Sequence, residues 1–308
     1  MGSVETLMTT AVVLLNLGLA VLVGAVLTDW QLQRQESGWS MRKFLPLRRL
    51  RVLSSLWLGV MLVAIIALET STMAEVPLAE IGPSIAPILT DTHFGHVWLW
   101  SMGSVAVLFA TQIVRRISTP TLLACAMGIV SFAVSRSLVS HAVSAGNLSW
   151  PVVIETVHLL LISVWIGEVF LSGLHVLRTA CGRLSEDRNA YSHYVNALST
   201  TATVALVGIV ITGLFNAWRG LGSVNHLLDN PWSWILITKL GMVVSAAGLG
   251  AFNRWAVMPN FLAGLDKGID TDKLQKRFAR VLQIEAVVLI GVLIAAALLS
   301  SSSPPTAM

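Results

Sequence analysis

Charge is scarce in this chain. Only 12% of its 308 residues are Asp, Glu, Lys or Arg, while 55% are apolar and the mean hydropathy is +0.76. A soluble domain carries about 25% charged residues to cover its surface, so this chain cannot be solvated on all sides and a soluble two-domain protein is excluded. Cysteine is nearly absent. Cys125 falls in an apolar run and Cys181 in a basic loop, which gives no disulfide framework. No Walker-type glycine loop occurs, so nothing in the chain marks an ATP-driven motor. The net charge of +4 is too weak to argue for a nucleic-acid partner.

What is present is a series of long apolar runs. A membrane-crossing helix needs about 20 apolar residues, and such runs lie near 5–28, 52–74, 95–114, 119–140, 151–177, 198–218, 232–254 and 280–300. These predict an all-α polytopic membrane protein, a single membrane domain over 1–308 with eight transmembrane helices in contact with the lipid bilayer. The first run has one acidic residue ahead of it and no Ala-x-Ala-like site behind it, which reads as a retained span and not a cleaved signal.

Of the 20 Lys and Arg residues, 17 fall in the connections after spans one, three, five and seven. Basic residues mark the cytoplasmic side, so both termini are expected on the periplasmic side. Trp98, Trp100, Trp150, Trp218, Trp232 and Trp234 gather at the opposite, outer boundaries, where an amphipathic ring prefers to sit. The segment 255–280 ends in Lys273, Lys276, Arg277 and Arg280, a basic stripe at helical spacing that predicts a solvated helix on the inner leaflet. Residues 91–116 can be laid over 229–254 without a gap, matching Asp91 to Asp229, Gly103 to Gly241 and Arg116 to Arg254. That alignment predicts two parallel four-helix repeats, 1–145 and 146–308.

An ionisable residue inside a span is costly and marks a functional position by default. The candidates are Glu69, Arg136, His141, Glu155, His158, Glu168, His175, Lys239 and Glu285. At 100° per residue, Glu155, His158 and Trp165 share one stripe of the fifth span, and Glu168 and His175 share a second stripe nearer the cytoplasm. His158 stands about 10 Å in from the outer boundary, at a depth shared by Met102, Lys239 and Met242. The outer loops add His93 and His96, spaced i,i+3, and His226. Imidazole suits copper and zinc, and thioether selects Cu(I), so this set of donors at one face suits a first-row metal. The plain alternatives are solvated loop histidines, packing methionines, and a Glu155 that only neutralises Lys239 or Arg136.

The segments SHA at 140–142, HLLLISVWIG at 158–167, TGLFNAW at 212–218, TKLG at 238–241 and AFNRW at 251–255 resemble the bacterial CopD/PcoD copper-resistance membrane proteins. Glu285 opening the last span fits that pattern, and THFGHVWL at 92–99 resembles the family's segment before its third span. The resemblance is strongest over 140–290. It implies an inner-membrane protein of eight spans that moves copper ions between periplasm and cytoplasm, working with a separate periplasmic copper-binding protein of the CopC type. Family histidines fall on His141 and His158, and its Lys and Asn-Arg positions on Lys239, Asn253 and Arg254.

The expected function is therefore copper transport, import favoured over export, and not an enzymatic reaction. Copper, as Cu(I) or Cu(II), would meet His93, His96 or His226 at the outer mouth, then His141, His158 and Met102. Glu155 would hold the second nitrogen of His158 or supply an oxygen ligand. Lys239 would balance charge, with Glu69 and Arg136 near the mouth and Glu168, Glu285 and Asn253 towards the cytoplasm. Two other readings stay open: a haem-carrying membrane electron-transfer protein, which needs paired histidines at one depth, and a copper sensor or assembly partner that transports nothing.

Overall fold

The structure, a computed structural model, describes residues 2–34, 38–113, 118–140, 142–143, 146–147, 149–177, 188–222, 228, 230–267 and 271–302. His141, His226 and Cys181, singled out above, lie outside the described residues. Among those described there is no strand. The helices are α1 (Gly2–Gln33), α2 (Gly38–Met73), α3 (Gly82–Asp91), α4 (His93–Ile113), α5 (Thr119–Ser137), α6 (Trp150–Leu171), α7 (Arg188–Leu221), α8 (Pro231–Phe252), α9 (Met258–Asp266) and α10 (Asp272–Ser301). Eight of them, α3 and α9 aside, are long and apolar enough to cross a membrane. The chain is an all-α polytopic membrane protein.

Helix starts follow local chemistry. α5, α6 and α8 each open with Pro in the first turn, where its missing N–H costs nothing. The Asn230 side chain caps α8 by accepting the Ser233 N–H at 2.9 Å. The helices outrun the hydrophobic stretches that announced them. α7 begins at Arg188 and α10 at Asp272, so Lys273, Lys276, Arg277 and Arg280 form the first turns of the last span and not a separate surface helix. Asp272 and Lys276 form an i,i+4 pair there at 3.7 Å. The short surface helix of this region is α9, and α3 is a second short helix that the apolar runs did not announce.

Buried apolar residues form two main clusters. One is built on α1, α2, α4 and α5, around Leu15, Leu58, Leu108 and Phe132. The other draws on α6 to α10, around Trp165, Tyr191, Phe261 and Leu289. α1 and α6 join them at a crossing of bare backbone. A Cβ on Gly24 would collide with the backbone of Gly167, and one on Gly167 with the carbonyl oxygen of Ala20. Helices in lipid gain association energy from such close approach, because lipid tails offer no hydrophobic drive. Small hydroxyls serve the α4–α5 contact in the same way: Ser101 and Ser135 lie 2.7 Å apart, and Ser104 and Ser131 2.8 Å.

Two spans end in a π-helical turn: α6 runs into 172–176 and α8 into 253–257. Such turns shift the hydrogen-bond register and recur at functional sites. Gln275 and Gln283 of α10 donate to the carbonyls of Leu177 (2.6 Å) and Gly173 (2.9 Å) beside the first of them. Arg254, in the second, donates to Ser199 and Thr203 of α7 at 2.7–2.9 Å.

Candidate functional site

Alternating crossings place the start of α6, the end of α7, the start of α8 and the end of α10 on one face, the face that also carries the start of α1. A cavity of about 860 Å³ opens there. Its upper wall holds Arg136, Glu155, His158, Asn216, Arg219 and Lys239, and its lower wall is mostly apolar, with Ile162, Val210, Leu240, Val244 and Leu289 alongside Asn16 of α1. Trp165 and Ile166 line the deepest part on α6 and are 4% and 2% exposed.

His158 is the centre of this arrangement. It stands on the cavity wall, buried in the bundle. From the first residue of α6 it is about 12 Å down at 1.5 Å per residue, and Lys239 is equally deep on α8. The Nδ1 of His158 lies 2.7 Å from Thr212 Oγ1, and that hydroxyl lies 2.6 Å from the Gly208 carbonyl oxygen. A hydroxyl has one proton, and a carbonyl can only accept it. Thr212 therefore accepts from His158, Nδ1 carries the ring proton, and Nε2 keeps its lone pair. The sequence reading gave this orienting role to Glu155. The structure gives it to Thr212, and Glu155 instead accepts from the Asn216 amide at 2.7 Å. Lys239 lies close enough to feel the charge of Glu155, and His158 in turn feels Lys239.

Below the floor lies a second polar layer outside the cavity. Trp165 Nε1 donates to Glu285 Oε1 at 3.0 Å. Glu168 accepts from Gln31 at 2.9 Å and from the Thr201 hydroxyl. Both carboxyls are buried, Glu168 at 1% and Glu285 at 2% exposure. Asn253 is buried too and donates to the Phe278 carbonyl at 3.4 Å, at the start of the second π-helical turn. The stripe spacing on α6 thus separates an upper group facing the cavity from a lower group beneath it.

The remaining candidates stand elsewhere. His93 and His96 are exposed at the start of α4 and do not line the cavity. Each spends Nε2 on a backbone carbonyl, Leu138 at 3.1 Å and Thr90 at 2.7 Å, so each retains Nδ1 for other partners. Met102 packs against the first apolar cluster. Met242 packs against Gly291 of α10. Glu69 is half-buried near the end of α2. Among the described residues no three His, Cys, Asp or Glu side chains gather as a metal-binding group.

Sequence reasoning missed Thr212, Asn216, Gln31 and Thr201, all uncharged residues that hold the charged ones. TGLFNAW had flagged the first two only as likeness. It also missed the pair Asp29–Arg51, joined at 2.9 Å and with side chains 2% and 0% exposed, which ties α1 to α2 far from the cavity.

Two comparisons bear on this arrangement. The family described as copper resistance protein D-like, N-terminal domain, matches residues 3–150, and copper resistance protein D matches residues 192–299. Copper resistance protein D of Pseudomonas syringae pv. tomato is 24% identical over 258 residues, covering 82% of each chain. Inner membrane protein YebZ of Escherichia coli strain K12 is 22% identical over 270 residues, covering 86% of this chain and 88% of its own. No solved structure matches. The first match takes in α1 to α5, and the second takes in α8, α10 and nearly all of α7, with the Thr212, Asn216 and Lys239 side of the cavity; by both, the chain belongs to the copper resistance protein D family.

Proposed function

We propose that this protein carries copper ions across the bacterial inner membrane, import favoured over export, in service of copper homeostasis or resistance. The observation that carries the reading is the Nε2 of His158, left with its lone pair by the Thr212–Gly208 relay, on the wall of a cavity closed below by Trp165. Neutral imidazole is a good ligand for either oxidation state of copper. The family name supplies the metal, and the eight apolar spans together with the inner-membrane relative supply the location.

In this reading the cavity opens to the periplasm, as the distribution of basic residues implies. His93, His96 and His141 collect ions at the outer face, from solution or from a separate CopC-like carrier, and Met102 stands beside the route. His158 binds next, with Glu155 and Lys239 setting the charge beside it. Arg136 shapes the mouth, while Glu69 stands apart from it near the end of α2. The onward step passes Trp165 to the Glu285 and Glu168 layer and leaves beside Asn253. One imidazole is a weak site on its own, which suits conduction, because a tight site traps its ion. The two four-helix halves, 1–145 and 146–308, would rock about the α1–α6 crossing to open one side or the other.

The test is cellular copper by elemental analysis in cells making the wild type or His158→Ala at equal protein level. Higher copper in wild-type cells means import, and lower copper means export. Equal copper in both removes the transporter reading.

A further inference from the structure

The cavity is built unevenly for a bare cation. Among its described lining residues, Arg136, Arg219 and Lys239 are basic, and Glu155 is the single acidic one. A copper ion approaching His158 meets an excess of positive charge. Two of the basic residues lie high, and Lys239 stands deeper, level with His158. Arg136 is one residue from the end of α5 and Arg219 two from the end of α7, at the level of the tryptophan-rich boundary, and Lys239 can reach upward on its long stem. Beneath them the walls are mostly hydrocarbon, with Asn16 of α1 the polar exception.

The cavity is also open sideways. α7 packs on α6 and α8 packs on α10, and these two neighbours of the cavity meet only slightly. Val210 and Leu214 of α7 and Leu240 and Val244 of α8 both line the cavity and are exposed, at 46%, 62%, 42% and 71%. In a membrane, what stands at such a slot is lipid. A slot with a mostly hydrocarbon lower part, two guanidinium groups near headgroup height and the Lys239 ammonium beneath them matches a phospholipid with negative charge.

We propose that one anionic phospholipid from the surrounding leaflet lodges between α7 and α8, its phosphate on Arg136, Arg219 and Lys239 and its acyl chains along Val210, Leu214, Leu240 and Val244. Its charge offsets the basic residues and makes the cavity hospitable to a cation at His158. The lipid site stands on the geometry alone, and its link to copper rests on the function proposed above.

Purified protein in nanodiscs of equal phosphatidylglycerol and phosphatidylcholine, released into native mass spectrometry, tests the site. Wild type should retain phosphatidylglycerol over phosphatidylcholine by about fivefold or more, the scale set by one basic residue at a charged surface. Arg136→Gln with Lys239→Met should bring retention close to parity, while Lys276→Gln at the far face should not. Parity in the wild type overturns the proposal, and so does a purified protein that carries haem in the cavity, shown by its visible absorbance band. Wild type alone gives a second arm, free of folding effects. Phosphatidylglycerol carrying a photoreactive acyl chain should label peptides containing 210–214 and 240–244, and labelling confined to other helices overturns the proposal. Copper titration then separates the two readings. The binding that His158→Ala abolishes should be roughly threefold tighter in phosphatidylglycerol than in phosphatidylcholine discs. Equal affinity breaks the lipid's link to copper. Absence of copper binding in either disc, with lipid selectivity intact, fails the transport reading and leaves the lipid site standing.

Discussion

Trp165 and Glu285 are joined across the floor of the cavity. The indole N–H of Trp165 donates to Glu285 Oε1 at 3.0 Å, with the ring lining the cavity and the carboxyl hidden beyond it. The other carboxyl oxygen of Glu285 is buried and has no partner among the described residues. A buried carboxyl with an idle acceptor is expensive as pure architecture, which makes Glu285 the candidate to receive an ion that passes the floor in the transport reading proposed above.

Glu285→Gln separates these roles. The amide keeps an oxygen for the Trp165 N–H and removes the ionisable group from a buried site, so the protein should fold with an unchanged or higher midpoint in thermal unfolding of the detergent-solubilised form. If Glu285 receives the ion, the copper difference between expressing and non-expressing cells should fall by about tenfold, one decade for a lost charged ligand. Full copper movement by a folded Glu285→Gln protein removes Glu285 from the route.

Asp29 and Arg51 make a second buried charge pair, this one between α1 and α2. Breaking such a pair from one side strands a charge and costs about 3–5 kcal/mol, whereas replacing both partners with apolar residues is often neutral. Arg51→Met alone should therefore lower the unfolding midpoint strongly, and adding Asp29→Leu should recover most of it. A double variant no more stable than Arg51→Met would mean that the pair is not isolated from other charges.

The eight spans were legible because bilayer thickness imposes a length that composition cannot hide. The upper group on α6 was legible for the related reason that polar residues stand out in an apolar helix, and helical periodicity put Glu155, His158 and Trp165 on one side. The partners were not legible. Thr212, Asn216 and Thr201 are unremarkable in a span, since hydroxyls and amides are tolerated there, and only the packing of α7 on α6 shows whom they touch. Asp29 and Arg51 were hidden differently. Each falls just past the end of an apolar run, where charge is expected to be solvated, and the helices continue beyond the runs and bury it. The basic stripe at 273–280 was misplaced for the same reason: a span can begin well before its hydrophobic stretch.

The crossing of α1 and α6 should be among the least tolerant places in the bundle. A methyl group at Gly167 meets the Ala20 carbonyl oxygen and the Gly24 backbone, atoms that no side-chain rotation can clear. Gly103, with open space around it, is the matched control on another span. Gly167→Ala should cost a few kcal/mol, the range of overpacking in a tight core (about 1–3 kcal/mol or more), and Gly103→Ala close to nothing. Yield and unfolding midpoint of the two variants, side by side, check this. Equal behaviour would mean that α1 and α6 can separate without penalty.

Thr212 should govern copper binding without touching the ion. Its hydroxyl accepts the Nδ1 proton of His158 and so keeps Nε2 as the nitrogen with the lone pair. Thr212→Val preserves shape and removes the acceptor. The ring is then free to turn or to exchange its proton between nitrogens, and copper affinity should fall roughly 10- to 100-fold, as when the partner of a metal-bound histidine is lost. Thr212→Ser restores the acceptor and should restore affinity. Trp165 and Trp232 line the same cavity, so quenching of tryptophan fluorescence in a copper titration reads all three proteins in one assay. If valine binds as tightly as threonine, His158 does not bind through a lone pair set by Thr212. If serine is as weak as valine, the threonine methyl matters through packing and not through the proton.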